Sequence, residues 1–258
     1  MTKIVCWFSC GAASAVATKI MLSRKTNDDI VVARCVIPSE HEDNERFAAE
    51  CEKWFGQPIL NLKSDKYVDT WDVWEKRRFI SGPAGAPCTT ELKKAVRWQF
   101  EADWQPDFQV FGYTAEETER TKRFKDNNPE VRLVTPLIEE GLGKSDCLAI
   151  IDRAGIAIPQ LYNLGFSNNN CMPCGKAQSP AYWNRVRRHF PERFDRMAKL
   201  ARSLNVRMAK VNEERIFLED LDPTIGANEK EPDMDCSLMC AIAETKFVNP
   251  KEDEDPAR

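Results

Sequence analysis

The 258-residue sequence lacks any apolar run near the roughly 18 residues that a membrane-spanning helix requires. Its opening stretch, MTKIVCWFSC, lacks the charged, apolar and small-residue regions of a signal peptide in their proper order. The expectation is a cytoplasmic protein with no membrane partner. Excess charge of one sign is missing too: Lys and Arg total 37 against 41 Asp and Glu, a net charge of −4. Such a balance exerts no global pull on nucleic acid or an anionic membrane, and leaves only a local basic groove open. There is no Gly-x-x-x-x-Gly-Lys-Ser/Thr segment, which argues against a P-loop NTPase. No internal repeat divides the chain.

Cysteine, by contrast, is plentiful at ten residues. A cytoplasmic setting keeps thiols reduced, so a disulfide framework is not expected. Cys6, Cys35, Cys51 and Cys147 sit among apolar or helical neighbours and read as small buried hydrophobes. Cys171-x2-Cys174 and Cys236-x3-Cys240 are close pairs, and Cys88 stands alone beside a helix start. Close thiolate pairs suit tetrahedral zinc or an iron–sulfur cluster, and spacing alone does not choose between them or exclude inert thiols.

The first part of the chain alternates short apolar segments with amphipathic ones. Strand candidates are KIVCWF (3–8), IVVARCVI (30–37), PILNL (58–62) and DFQVFGY (107–113), and helical runs cover about 13–24, 42–55 and 89–104. This order predicts an α/β fold, doubly wound around a mostly parallel sheet. The chain divides into a core over 1–136, a helical cysteine-bearing region over 137–245 and a solvated tail over 246–258. In the second region 143–155 reads as a helix with Ser145 as N-cap, and Pro191 starts a new helix within 179–205. The loop 222–235 is polar. YWNRVRRHF (182–190) reads as a helix with aromatic residues inward and Arg outward, in preference to a nucleic-acid contact.

The stretch WFSCGAASAVATKI runs from the first strand through a small-residue turn, Ser9-Cys10-Gly11-Ala12-Ala13-Ser14, into a helix. Backbone N–H groups and hydroxyls at such a helix start favour an anion. A plain turn built for packing explains the same residues equally well. FSCGAAS resembles the Ser-Gly-Gly-x-x-Ser pyrophosphate loop of the ATP-pyrophosphatase and phosphoadenylylsulfate (PAPS) reductase superfamily, also known as PP-loop or adenine nucleotide alpha hydrolase-like proteins. Cys10 replaces the first Gly, which reduces backbone freedom, and Ala13 stands where many members have Asp. GAPCTTELKKAVR (85–97), FGYTAEETERTKRF (111–124), the cysteine segment 168–202 and EPDMDCSLMC (231–240) extend the likeness. They resemble a reductase-like branch found in phage and bacteria, over about residues 4–242.

The resemblance implies an adenine nucleotide, ATP or PAPS, held by residues 9–14. It makes Lys93 an anion-contacting lysine, with Lys94 the poorer match by register. It makes Arg120 a phosphate or sulfate contact oriented by Glu117, although the two residues could equally form a simple intrahelical ion pair. His41 is either near the adenosine or an ordinary loop residue. Thr89 replaces one cysteine of the family's Cys-Cys pair. The implied cluster ligands are therefore Cys88, Cys171 and Cys174, with Cys236 or Cys240 as the fourth; a 4Fe-4S cluster is preferred and zinc is the alternative. Asp235, Cys236, Ser237 and Cys240 also resemble, poorly, the tail that carries the reductases' nucleophilic cysteine, so Cys236 is either ligand or nucleophile. Two enzyme activities follow: sulfonucleotide reduction, or ATP cleavage that adenylylates an acceptor for thiolation. A non-catalytic nucleotide- or zinc-binding accessory protein is the other reading. A thiol or sulfur-donor protein is an implied partner, and a homo-oligomer stays open.

Overall fold

Ile4 and Cys6 lie on one side of β1 (Lys3–Trp7), Val5 and Trp7 on the other, and all four are buried. A strand covered on both faces belongs inside a parallel sheet. β1 pairs with β2 (Asp29–Cys35) and with β4 (Phe108–Val110), while β3 (Ile59–Leu62) and β5 (Leu133–Val134) form the edges. The order is β3-β2-β1-β4-β5 and every pairing is parallel. The computed structural model describes residues 1–24, 27–83, 85–227 and 229. Asp235, Cys236, Ser237, Cys240 and the 246–258 tail lie outside the described residues.

Helices cover both faces, as the strand–helix alternation predicts. On one face α1 (Ala12–Ser23), α2 (Asp43–Phe55) and the helix Lys144–Arg153 enclose Cys6, Phe8, Phe47 and Ile151. On the other, Val5, Trp7, Phe111 and Phe124 pack with Phe100 and Trp104 of the helix Ala95–Trp104. A second core gathers Trp74, Leu161, Trp183, Val186 and Met197 beneath the cysteine segment. It draws Trp71 and Trp74 from α3 (Thr70–Arg77), so the early part of the chain contributes to the later region's core.

Pro191 opens the helix Pro191–Ser203 as expected. The N-cap of the helix Lys144–Arg153 is Gly143 instead of Ser145. Asp146 explains the shift, because its carboxylate accepts the Gly143 N–H at 2.8 Å and so fixes the first turn two residues earlier. β5, the antiparallel pair Ala209–Val211 and Glu214–Ile216, and α3 are additions to the sequence reading. The strands are too short to establish a hydrophobic period.

In the helix Pro180–His189, Tyr182, Trp183 and Val186 are buried as expected. Its arginines turn back onto the chain: Arg187 donates to Leu218 O at 3.0 Å and Leu221 O at 2.9 Å, and Arg185 to Glu229 O at 3.0 Å. They fasten a neighbouring loop. Burial pushes the Cys6, Cys35 and Cys147 thiols up to about 12, so these groups stay protonated at neutral pH, as small hydrophobes should. Among the described residues no helix is long and apolar enough to cross a membrane.

Candidate functional site

Residues 9–14 leave the carboxyl end of β1 beside β4, where the direction of winding reverses and open α/β sheets place their ligands. Ser14 organises the turn. Its Oγ accepts from Ser9 N–H at 3.0 Å and from Ser9 Oγ at 3.1 Å, and donates to Gly11 O at 3.0 Å. Cys10 has φ 56, the left-handed region in which an L-residue pays about 1–2 kcal/mol. The Gly-to-Cys departure is therefore accommodated as local strain, held by burial of the side chain and by Arg34 Nη1, 3.4 Å from Sγ. Burial pushes the Cys10 thiol up to about 12, with Glu40 adding to the rise and Arg34 opposing it. On the outer side Tyr162 Oη accepts the Ala12 N–H at 3.5 Å.

Gly112 follows β4 and faces this turn. A Cβ there would lie 2.6 Å from Ser14 N and 2.7 Å from Ser14 Cα, so only glycine permits the close approach. Beyond it, Glu117 Oε2 accepts from Thr114 N–H at 3.0 Å and Thr114 Oγ1 at 3.2 Å. Glu117 Oε1 holds Arg120, whose guanidinium lies 5.4 Å from the Tyr113 ring centroid. The two form an ion pair three residues apart, with Glu117 at the end of the 3-10 turn Ala115–Glu117 and Arg120 in the helix Thr118–Asn127. These elements enclose an open cleft of about 830 Å³, lined by Ser9, Ser14, Gly112, Arg120, Lys144 and Tyr162 among others. Its size suits a small molecule, and its lining is mixed in charge: Glu116, Glu117 and Glu119 stand with Arg120, Arg123 and Lys144.

The cleft contains residues that the sequence reading missed. Arg123 lies one helical step beyond Arg120 and was visible in the same motif. Lys144, which donates to Asn168 Oδ1 at 3.0 Å, and Tyr162 carried no local signal. Lys93 is not among the cleft-lining residues. It lines an adjoining cavity with Cys88, Cys171, Cys174, Trp74 and Lys176. Thr90–Lys94, which carries Lys93, forms a π-helical turn.

One segment walls both spaces. Residues 165–170 line the cleft, and Cys171 and Cys174 line the cavity. Asn169 Nδ2 donates to Cys10 O at 2.6 Å and Asn44 Oδ1 at 2.7 Å, which ties the cysteine segment to the turn after β1. Cys171 Sγ lies 3.8 Å and Lys93 Nζ 3.5 Å from the same Glu40 oxygen. Among the described residues, no group of three or more His, Cys, Asp or Glu is arranged to hold a metal ion. The cavity is small, about 10 Å³, and three kinds of side chain with a bearing on sulfur chemistry line it. It offers three soft donors. It also has two lysines able to offset thiolate charge, and a buried indole N–H at Trp74 that has no acceptor among the described residues.

His41 lines neither space. Its Nδ1 accepts the Asp43 N–H at 3.1 Å at the start of α2, and its ring packs edge-on against Phe190. Burial lowers its pKa from 6.5, against the opposing charges of Asp43 and Glu42; burial also lowers that of His189. The unfolded chain then binds more protons as pH falls through the ordinary imidazole range. Stability is therefore complete above about pH 6.5 and declines on acidification below it. Urea midpoints at pH 7.5 and 5.5 should show this loss, with His41→Asn reducing the difference.

The fold and cleft define a parallel α/β protein with a small-residue turn at its switch point that opens onto the cleft. No family model matches the chain, and no curated protein matches it in sequence. Among solved structures it is similar to the phosphoadenylyl-sulfate (PAPS) reductase of Candida auris in its phosphate complex. That match has 9% identity, covers 65% of this chain and 80% of that one, and has a TM-score of 0.47. It is also similar to the U34-tRNA thiolase NcsA of Methanococcus maripaludis with its 4Fe-4S cluster. There the identity is 11%, the coverage is 94% of this chain and 80% of that one, and the TM-score is 0.48.

Proposed function

We propose that this chain is a PAPS reductase-like, adenine-nucleotide-binding enzyme that acts in sulfur transfer or reduction at the α-phosphate side of its nucleotide. One observation carries the reading: the segment 165–174 forms a wall of the anion-binding cleft at one end and contributes two cysteines to a three-cysteine cavity at the other. Nucleotide chemistry and sulfur chemistry thus sit side by side.

In this reading the turn at Ser9, Cys10, Gly11, Ala12, Ala13 and Ser14 receives the nucleotide's phosphates at the start of α1. Arg120, fixed by Glu117, supplies the charge that the turn lacks, and Arg123 and Lys144 extend it along the cleft. These groups are set before the ligand arrives, so they stabilise charge that develops on phosphate or sulfate with little reorganisation. Lys93 acts at the junction, beside Cys171 and Glu40. Cys88, Cys171 and Cys174 would hold an iron–sulfur cluster, with Cys236 or Cys240 completing the set. A bound cluster would supply a site for sulfur binding or electron transfer.

Product analysis tests the reaction. Anaerobic protein incubated with ATP and a sulfur source should release pyrophosphate if it activates an acceptor for thiolation. With PAPS and a thiol donor it should release sulfite if it reduces sulfonucleotide. Nucleotide binding with neither product would replace the enzyme reading with that of a binding module.

A further inference from the structure

Cys10 stands in the left-handed backbone region at φ 56, a costly conformation for a residue with a Cβ. Arg34 contacts its side chain, and Asn169 holds its carbonyl. Asn169 Nδ2 donates to Cys10 O at 2.6 Å and to Asn44 Oδ1 at 2.7 Å, so both of its hydrogens are committed. Cys10, Asn44 and Asn169 are all buried. The direction of the two amides follows from what each partner can do. The Glu40 carboxylate only accepts, so Asn44 turns its Nδ2 to Glu40 Oε2 at 3.0 Å. Asn44 Oδ1 then faces Asn169, which presents its own Nδ2 there and to Cys10 O. In a planar trans peptide the Cys10 C=O and the Gly11 N–H turn as one unit. Ser9 and Gly11, on either side of Cys10, line the cleft. A Cys10 that relaxed to a commoner conformation would therefore reshape the cleft wall.

We propose that Asn169 is a positioning residue for nucleotide binding: its hydrogen bond to Cys10 O holds the strained turn in the form that receives phosphate. This role rests on the nucleotide reading above. Asn169 lies two residues before Cys171, so the segment that brings the cysteines also sets the shape of the turn. The strain exists because position 10 carries a side chain. Glycine takes the left-handed region without steric cost and would not need the bond.

The test is a double-mutant cycle in the full-length protein, read by calorimetric titration with ATP and PAPS, with circular dichroism to verify folding. Asn169→Ala should bind the nucleotide that wild type binds about five- to tenfold more weakly, the size expected for one buried hydrogen bond. Cys10→Gly should bind close to wild type, and combining it with Asn169→Ala should recover most of the loss. If Asn169→Ala does not fold, Asn44→Ala, which removes the acceptor that orients the Asn169 amide, should show a smaller loss with the same rescue. Unchanged affinity in a folded Asn169→Ala, or a loss that Cys10→Gly does not restore, overturns the inference and leaves the nucleotide reading standing. A wild type that binds neither nucleotide overturns both.

Discussion

Gly112→Ala is expected to weaken nucleotide binding at least about tenfold, although the substitution adds only one methyl group. The new carbon would lie 2.6 Å from Ser14 N, 2.7 Å from Ser14 Cα and 2.8 Å from Ala13 C. All three are backbone atoms, so no side chain can swing aside. The end of β4 and the start of α1 must separate, and the Ser9–Ser14–Gly11 hydrogen bonds that shape the turn must distort. Overpacking of this kind costs about 1–3 kcal/mol. Because the strain falls on the turn proposed to receive the phosphates, affinity should drop by at least about tenfold, the equivalent of 1.4 kcal/mol. Calorimetric titration with ATP and PAPS reads the affinity, and circular dichroism verifies that the sheet persists. Unchanged affinity in a folded variant would mean that the ligand binds elsewhere.

The second large effect concerns the cysteines. Cys171→Ser and Cys174→Ser, made separately, should each lose most iron and acid-labile sulfide from anaerobically purified protein, together with the associated visible absorbance. Serine is close in size to cysteine but is a hard donor, poorly suited to iron–sulfur chemistry. Affinity for nucleotide in the cleft should change little, since the cleft is lined by 165–170 and not by the cysteines. Cys147→Ala is the control, because that buried thiol packs in the sheet core away from the cavity. Serine variants of Cys236 and Cys240 should identify the fourth ligand by the same metal loss. Stoichiometric zinc without sulfide in the wild type would select the zinc alternative.

The legible parts of the site were those written locally. The strand–turn–helix at 3–24 announces itself by an apolar run, small residues and then a helical period. Glu117 and Arg120, three residues apart, had to share a helix face. The reading of Lys93 rested on the resemblance, and the structure sets Lys93 in the cavity lined by Cys88, Cys171 and Cys174. Ser145 looked like a cap because its type is right, but Asp146 reached Gly143 first. Lys144 and Tyr162 reach the cleft only because the helix Lys144–Arg153 and the segment after it fold back against α1.

The sequence by itself determined the doubly wound α/β class, the small-residue turn at 9–14 between strand and helix, and the burial of Cys6 and Cys147. Each follows from periodicity, residue size or apolar surroundings within a few positions. Only the tertiary structure decided that Gly112 must be glycine, and that Lys93 and Trp74 stand with the cysteines in one cavity. Those facts depend on contacts between segments far apart in the chain, where packing rather than local preference sets which atoms meet.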